Sequence, residues 1–424
     1  MDHGRLAIDG GSPVLTDPVP DGVSGPSVFG ADEVAAARAV LEEQNLFRYR
    51  ADSQCNLFEQ EVAEFLGVRH ALIVNSGTSA LICALKAVGI GPGDEVIIPS
   101  YTYMATPCAV VGAGAVPVMA DIDDSLGLDP ADVERRITPH TRAVVPVHMR
   151  GVPNRLDALL KVAGRHGLKV MEDCCQCVGG QYRGKRVGTY SDIAAWSLNF
   201  YKTISAGEGG VVFTDDTELF ERAGYASDPG LPLWQGQDTR SIDWDAESFP
   251  GAGFRPSELI AAVSRVQLAK IEDILAHQRQ LKRAFLSELD EPRAYRLQHV
   301  DDPDGDTGVS AGVIVSDGAL ARGYAHALKA EGVDAGAIFN DGIPDRHIYT
   351  AWESVMNKRS HHPSGYPWKD PAYLGDVEYE RDMCPQTLDL LGRTLLFNFH
   401  MNMDEGHARA MARALNKVDA ALGG

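Results

Sequence analysis

Residues 71–100 read ALIVNSGTSALICALKAVGIGPGDEVIIPS. ALIVNSG is a short apolar strand that runs into a turn, TSALICALKAVG has helical spacing, and EVIIPS is apolar again. The pattern repeats outward. TPCAVVGAGA (residues 106–115) reads as a helix, VPVMADID (116–123), RAVVPVHM (142–149) and KVMEDC (169–174) as strands, and RLDALLKVAGRHG (155–167) as a helix between two of them. Short, fully apolar strands separated by helices predict an α/β fold with a mostly parallel sheet covered on both faces. Ligand sites in such sheets form beyond the carboxyl ends of the strands.

Composition narrows the class. A chain of 424 residues, 44% hydrophobic, suits two domains of ordinary size. No apolar run approaches the ~20 residues of a membrane span, and the first residues lack the basic-then-apolar pattern of a secretory signal. The seven cysteines are odd in number, and Cys174, Cys175 and Cys177 crowd one segment. That is no disulfide framework, and a cytoplasmic location is expected. A net charge of −20 argues against nucleic acid or an anionic membrane as the main partner. A phosphate-bearing small ligand stays open, because backbone N–H groups build such sites locally.

Residues 1–30, rich in Gly and Pro, read as an arm. Residues 31–255 read as the large domain. Residues 256–424 read as one long linking helix (257–289) followed by a smaller α+β domain. The acidic stretch DDPDGDTG (301–308) reads as a solvated turn. The stretch 338–384, rich in His, Pro, Tyr and Trp, reads as loops that border a site.

Candidate chemistry gathers at the predicted strand ends. Asp173 closes KVMEDC, with Glu172 beside it and Gln176 just beyond; alone, a capping or salt-bridged acid is an equal reading. Gly77 permits close backbone approach, and Thr78 and Ser79 open a helix whose free N–H groups suit a phosphate, although Ser and Thr cap helices everywhere. Tyr101 and Tyr103 offer rings for stacking or for the core. Ser197 ends another apolar run. Lys202 follows it in SLNFYKTISAGEGG (197–210), as a solvated charge or as an amine kept for an aldehyde. An anion site, a ring-stacking aromatic, an acid and a lysine together are what pyridoxal 5′-phosphate requires.

The phrases NSGTSAL, GDEVIIPSYTYMAT, PVHMRG, EDCCQCVGG, GKRVGTYSDIAAWSLNFYKTISAGEGG and RPSELIAAVSRVQL stand in this order. Through them nearly the whole chain resembles the DegT/StrS family of pyridoxal-phosphate sugar aminotransferases. The resemblance implies a fold-type I enzyme with a seven-stranded large-domain sheet and a smaller C-terminal domain. It implies that Lys202 forms the Schiff base, Asp173 holds the pyridine nitrogen and Gln176 lies near the ring hydroxyl. It places Tyr103 on the ring and Gly77, Thr78 and Ser197 around the phosphate. Some relatives are dehydratases with histidine in place of the lysine, so Lys202 favours transamination. The implied reaction moves an amino group from glutamate or glutamine to a keto or aldehyde sugar or a cyclitol, in a homodimer with shared sites. The alternative is another pyridoxal-phosphate reaction, such as dehydration, decarboxylation or oxidation.

FRYR (47–50), the DPDGD loop, the stretch around Trp352 and TLDLLGRTLLFNF (387–399) are similar to the 8-amino-3,8-dideoxy-octulosonate transaminase subgroup. Two stretches depart from the family. GAGFRPSE puts Gly253 where relatives carry an Asn that reaches the neighbouring subunit's phosphate, and Pro256 replaces a Met. SDPGLPLWQG (227–236) departs from an Asp-His-Gly pattern. The CCQC stretch lacks a second ligand pair at zinc-like spacing and reads as a packed loop, with no metal. His148 is a site or structural residue. His347, His361 and His362 are weak substrate-site candidates.

Overall fold

The computed structural model describes residues 5–229, 248–338 and 345–424. The strands, in chain order, are β1 (His70–Val74), β2 (Glu95–Pro99), β3 (Val116–Ala120), β4 (Thr141–Val144), β5 (Lys169–Asp173), β6 (Gln181–Tyr182), β7 (Lys185–Arg186), β8 (Ile193–Ser197), β9 (Gly210–Thr214), β10 (Tyr295–Leu297), β11 (Ser310–Val315) and β12 (Thr394–Asn398). Seven of them form one sheet in the order β1-β9-β8-β5-β4-β2-β3. Neighbours pair in parallel from β8 through β3, and β9 runs antiparallel to both β1 and β8. β2, β3, β8 and β9 are buried at every position. This is why they read as unbroken apolar runs: helices cover both faces, and no side of the strand faces water. The expected mostly parallel sheet is what the chain forms.

A second sheet, β10-β11-β12, is antiparallel throughout. It has its own core, in which Leu281, Phe285, Tyr324, Leu328, Phe397 and Leu415 meet. The start of the chain belongs to it. Leu6 joins this core, and the buried Glu331 carboxylate accepts from the N–H groups of Ala7 (2.8 Å) and Val14 (3.0 Å). The chain then runs to the large sheet, where Gly25 N–H donates to the Lys202 carbonyl at 3.1 Å.

Two expectations are corrected. The linking helix is two helices, Glu258–Ala269 and Ile271–Ser287. At Lys270 between them the N–H bonds the Gln267 carbonyl three residues back. The side chain is drawn sideways to Glu33 Oε1 (2.6 Å) and the Val28 carbonyl (3.0 Å). The acidic loop at 301–308 is solvated only in its first half, at Asp301, Pro303 and Asp304. Asp306 and Thr307 are buried, Asp306 pairs with Lys282, and the Gly305 carbonyl accepts from Gln181 N–H at 2.8 Å. Part of the stretch expected to be loops is indeed irregular, but it is well anchored. Ile348, Tyr349, Trp352 and Trp368 pack into the core of the large sheet, and Tyr349 N–H donates to the Ser100 carbonyl at the end of β2 (2.9 Å). Among the described residues no helix is long and apolar enough to cross a membrane.

Candidate active site

A cavity of about 680 Å³ opens at the carboxyl ends of the parallel strands. Asp173, the last residue of β5, is buried in its wall. Its Oδ2 accepts from Thr106 Oγ1 (2.9 Å) and its Oδ1 from Cys175 N–H (3.0 Å). Two donors fix the carboxylate plane and leave further lone pairs for a ligand.

The turn after β1 feeds helix Gly77–Ala87. Ser76 caps it, its Oγ accepting from Ser79 N–H at 3.1 Å. The N–H groups of Gly77 and Thr78 precede the first intrahelical bond, so they face outward as donors. Gly77 is required by contact: a Cβ there would lie 2.7 Å from the Ser197 Cβ. The helix start and the end of β8 therefore close into one small cradle of N–H and O–H groups. An anion fits such a cradle.

Lys202 lies in the loop joining β8 to β9. Leu198 N–H bonds the Gly209 carbonyl (2.9 Å) and Phe200 N–H the Gly207 carbonyl (3.0 Å). Gly207 and Gly209 take φ of 83° and 146°, which residues with a Cβ resist. The GEGG turn thus folds the loop back on itself and presents Lys202 to the cavity. Its Nζ makes no hydrogen bond or ion pair among the described residues.

Gly77, Thr78, Tyr103, Asp173, Gln176, Ser197 and Lys202 all line this one cavity. Tyr101 does not: it is fully buried behind the wall. Tyr103 is 41% exposed, with its ring centroid 5.4 Å from that of His347, which also lines the cavity. His361 and His362 are exposed and lie outside it.

His148 also lies outside the cavity. Its Nδ1 accepts from Asn154 N–H (3.0 Å), so Nε2 carries the proton and donates to Glu172 Oε2 (3.0 Å). Glu172 accepts as well from the N–H groups of Gly188 and Tyr190. Burial works to raise the Glu172 pKa, but the His148 and backbone bonds outweigh it and hold the carboxyl below its ordinary value. His148, Glu172 and Cys174 approach as three metal ligands would, yet the imidazole turns an N–H, not a lone pair, toward the carboxylate. Burial pushes the Cys174, Cys175 and Cys177 thiols up, and all are free.

Gly253 is exposed, with open space where a Cβ would stand, and is not part of the cavity wall. Of the departing stretch 227–236, residues 230–236 lie outside the described residues.

A family model described as the DegT/DnrJ/EryC1/StrS aminotransferase family matches residues 28–364. The chain belongs to that family. The cofactor of the family is pyridoxal 5′-phosphate, as the resemblance implied. GDP-perosamine synthase of Caulobacter vibrioides is 43% identical over 222 residues, 52% of this chain and 57% of that protein. L-glutamine:2-deoxy-scyllo-inosose aminotransferase of Streptomyces paromomycinus is 36% identical over 304 residues, 69% of this chain and 70% of that one. The chain spans 57% to 65% of the length of the first three curated relatives it matches. The solved structure of Streptomyces venezuelae DesV in complex with a ketimine intermediate superposes with a TM-score of 0.75. It is 30% identical and covers 95% of this chain and 99% of that one. The fold is thus that of the fold-type I aminotransferases, with the seven-stranded sheet and the small antiparallel sheet in their expected places.

Sequence reasoning missed two residues of the cavity wall, Thr106 and Arg150. Thr106 had no mark of its own within PSYTYMAT, because its value lies in reaching Asp173 across the sheet. Arg150 stood in the quoted PVHMRG; a lone cation just beyond a strand end was the available signal. The donor set suits pyridoxal phosphate: an oriented carboxylate for a ring nitrogen, an unpartnered amine for an aldehyde, and a cradle of N–H and O–H groups for a phosphate.

Proposed function

We propose that the protein is a pyridoxal-phosphate-dependent aminotransferase. It takes an amino group from glutamate or glutamine and gives it to a keto or aldehyde sugar, or to a cyclitol, in the building of a natural product or surface polysaccharide. The observation that carries this reading is the gathering of an oriented buried acid, an unpartnered lysine and a helix N-terminus around one cavity. Relatives named for aminated sugars and for a glutamine-dependent inosose aminotransferase support the substrate classes.

When bound, pyridoxal phosphate supplies an electron sink that makes the C–H bond beside an amino group acidic. Lys202 would hold the aldehyde carbon. Once the donor's amino group has displaced it from that carbon, its Nζ would be a free amine, able to take a proton from the donor's α carbon and return one in the exchange. Asp173, kept in plane by Thr106 and Cys175 N–H, would hold a proton on the ring nitrogen. The N–H groups of Gly77 and Thr78 with Ser197 Oγ would hold the phosphate, Tyr103 would cover a ring face, and Gln176 would stand near the ring hydroxyl.

The test is a coupled assay. Donor keto acid must appear in step with acceptor amination, and Lys202→Ala must abolish multiple turnover. Acceptor consumption without keto acid would assign another reaction type.

Within this class, FRYR, the DPDGD loop and TLDLLGRTLLFNF support an acceptor of the 8-amino-3,8-dideoxy-octulosonate transaminase type; none of the relatives named above carries that description. The working form is a homodimer with shared sites. Exposed Phe29, Leu41, Leu46, Phe47, Phe200 and Tyr201 support this, because so much bare apolar surface suits a partner. Light scattering on the purified protein tests it. The seven free cysteines support a reducing cytoplasm. A smaller unit within residues 256–424, beside an arm (1–30) and a cofactor-binding unit (31–255), is supported by the separate core around β11 and β12, while residues 348–391 pack with the large sheet.

A further inference from the structure

The roles proposed above leave one cation in the cavity wall without a task. Arg150 sits in the turn Met149–Gly151, beyond β4, at φ 55° and ψ 30°. Left-handed backbone is unfavourable for a residue with a Cβ, and it persists where the surroundings hold it. Here Arg150 N–H donates to Gln176 Oε1 (3.3 Å), and the Arg150 carbonyl accepts from Ser310 Oγ (3.0 Å). The side chain is held as well, Nε donating to the hydroxyl of the buried Tyr101 (3.4 Å).

Beyond Nε the guanidinium is left open. Neither η nitrogen makes a hydrogen bond or ion pair among the described residues. Other half-buried arginines have their η nitrogens engaged, Arg155 with Asp123 and Asp124, Arg255 with Asp228, and Arg222 and Arg279 with backbone carbonyls. Asp345 acts on the Arg150 charge from nearby without forming an ion pair, so on a chain of net charge −20 the η nitrogens of this cavity cation stay open, among the described residues, to an anion that arrives. That anion is not the cofactor's phosphate. The phosphate cradle lies beyond β1 and β8, whereas Arg150 follows β4, on the other side of β5 in the sheet. A planar fork of two donors matches a carboxylate.

We propose that Arg150 is a specificity residue that pairs, through its η nitrogens, with a carboxylate of the reactant. The proposal rests on the aminotransferase reading. The carboxylate is either the α-carboxylate of the amino donor or the acid group of an acidic sugar acceptor.

The test titrates the holoenzyme with two probes that cannot react as donors, followed by calorimetry. Glutarate is a dicarboxylate without an amino group, and glucuronate is a sugar acid. Arg150→Gln is expected to weaken binding at least tenfold, with Arg150→Lys between it and the wild type. A loss for glutarate assigns the donor carboxylate, and a loss for glucuronate assigns the acceptor's. Arg150→Lys, which keeps charge and approximate size, carries the test if Arg150→Gln takes up no cofactor. Binding unchanged within threefold in the variants, or no binding of either probe by the wild type, overturns the proposal. So does loss of binding in Arg346→Gln, at the exposed rim, with none in the Arg150 variants. Glutamate or glutamine added alone to the wild type checks the underlying reading separately. If the cofactor is not converted to its amine form, the reaction assignment fails while the carboxylate titration keeps its meaning.

Discussion

Gly77 and Gly253 show how differently two glycines bear on one site. A methyl group at Gly77 would meet Ser197 Cβ at 2.7 Å and Oγ at 2.9 Å, so the helix start and the end of β8 must part. Gly77→Ala is expected to cost about 1–3 kcal/mol and to weaken cofactor uptake at least tenfold, read by melting and by cofactor titration. A Cβ at Gly253 would meet nothing within 4 Å, and Gly253→Asn is expected to leave stability within about 0.5 kcal/mol. Thr106→Val removes one of the two protein donors to Asp173. Hydrogen bonds to charged groups are worth about 1.5–3 kcal/mol, so turnover should fall roughly tenfold or more with the donor KM nearly unchanged; an unaltered rate would remove Thr106 from the mechanism. At this scale the sequence was legible where a residue's motif is local, as with Lys202 before its glycine turn. Thr106 and Arg150 were not, because one acts through a contact across the sheet and the other through a left-handed turn that no neighbour announces.

Among the elements, β5 bears on both chemistry and stability. Its Glu172 ties the strand to the segment after β4 through His148 and to the loop before β8 through Gly188 and Tyr190. The folded-state pKa of Glu172 lies below its ordinary 4.5. Its contribution to stability is therefore fully present above 4.5 and is lost as pH falls through the lower folded-state value. Melting temperature should drop on acidification below 4.5. Glu172→Gln should lower stability at neutral pH by about 2 kcal/mol and flatten that acid limb; an identical limb in the variant would place its source elsewhere. The strands were readable because burial on both faces writes an unbroken apolar run. The break at Lys270 and the burial of residues 305–308 were not. Helical periodicity continues through Lys270, whose partner Glu33 is distant in sequence, and an acidic loop looks solvated until Lys282 is known to lie against it.

In the whole molecule, the chain returns late to the sheet it built early. Ile348, Tyr349, Trp352, Trp368, Leu390 and Leu391 complete the core beside β1 and β2. Thr387 bonds Ser100 (2.7 Å) and Asp121 (2.8 Å) at the ends of β2 and β3. A fragment of residues 31–255 is therefore expected to be aggregated when expressed alone, because this apolar face is left bare; a monodisperse, cooperatively melting fragment by size exclusion and calorimetry would contradict that. The two-domain division read from the sequence followed chain order, and such reading cannot see a segment that crosses back. The cradle at Gly77 has a last consequence. A Cβ at Gly210 would meet the Ser76 carbonyl at 2.3 Å, and Gly210 is the register partner of Ser197. Positions 76, 77, 197 and 210 therefore constrain one another and cannot drift singly. The opposite wall, at Arg150 and His347, is not tied to those four positions. A laboratory lineage selected for new acceptors would accumulate its changes there, with the anion cradle inherited intact.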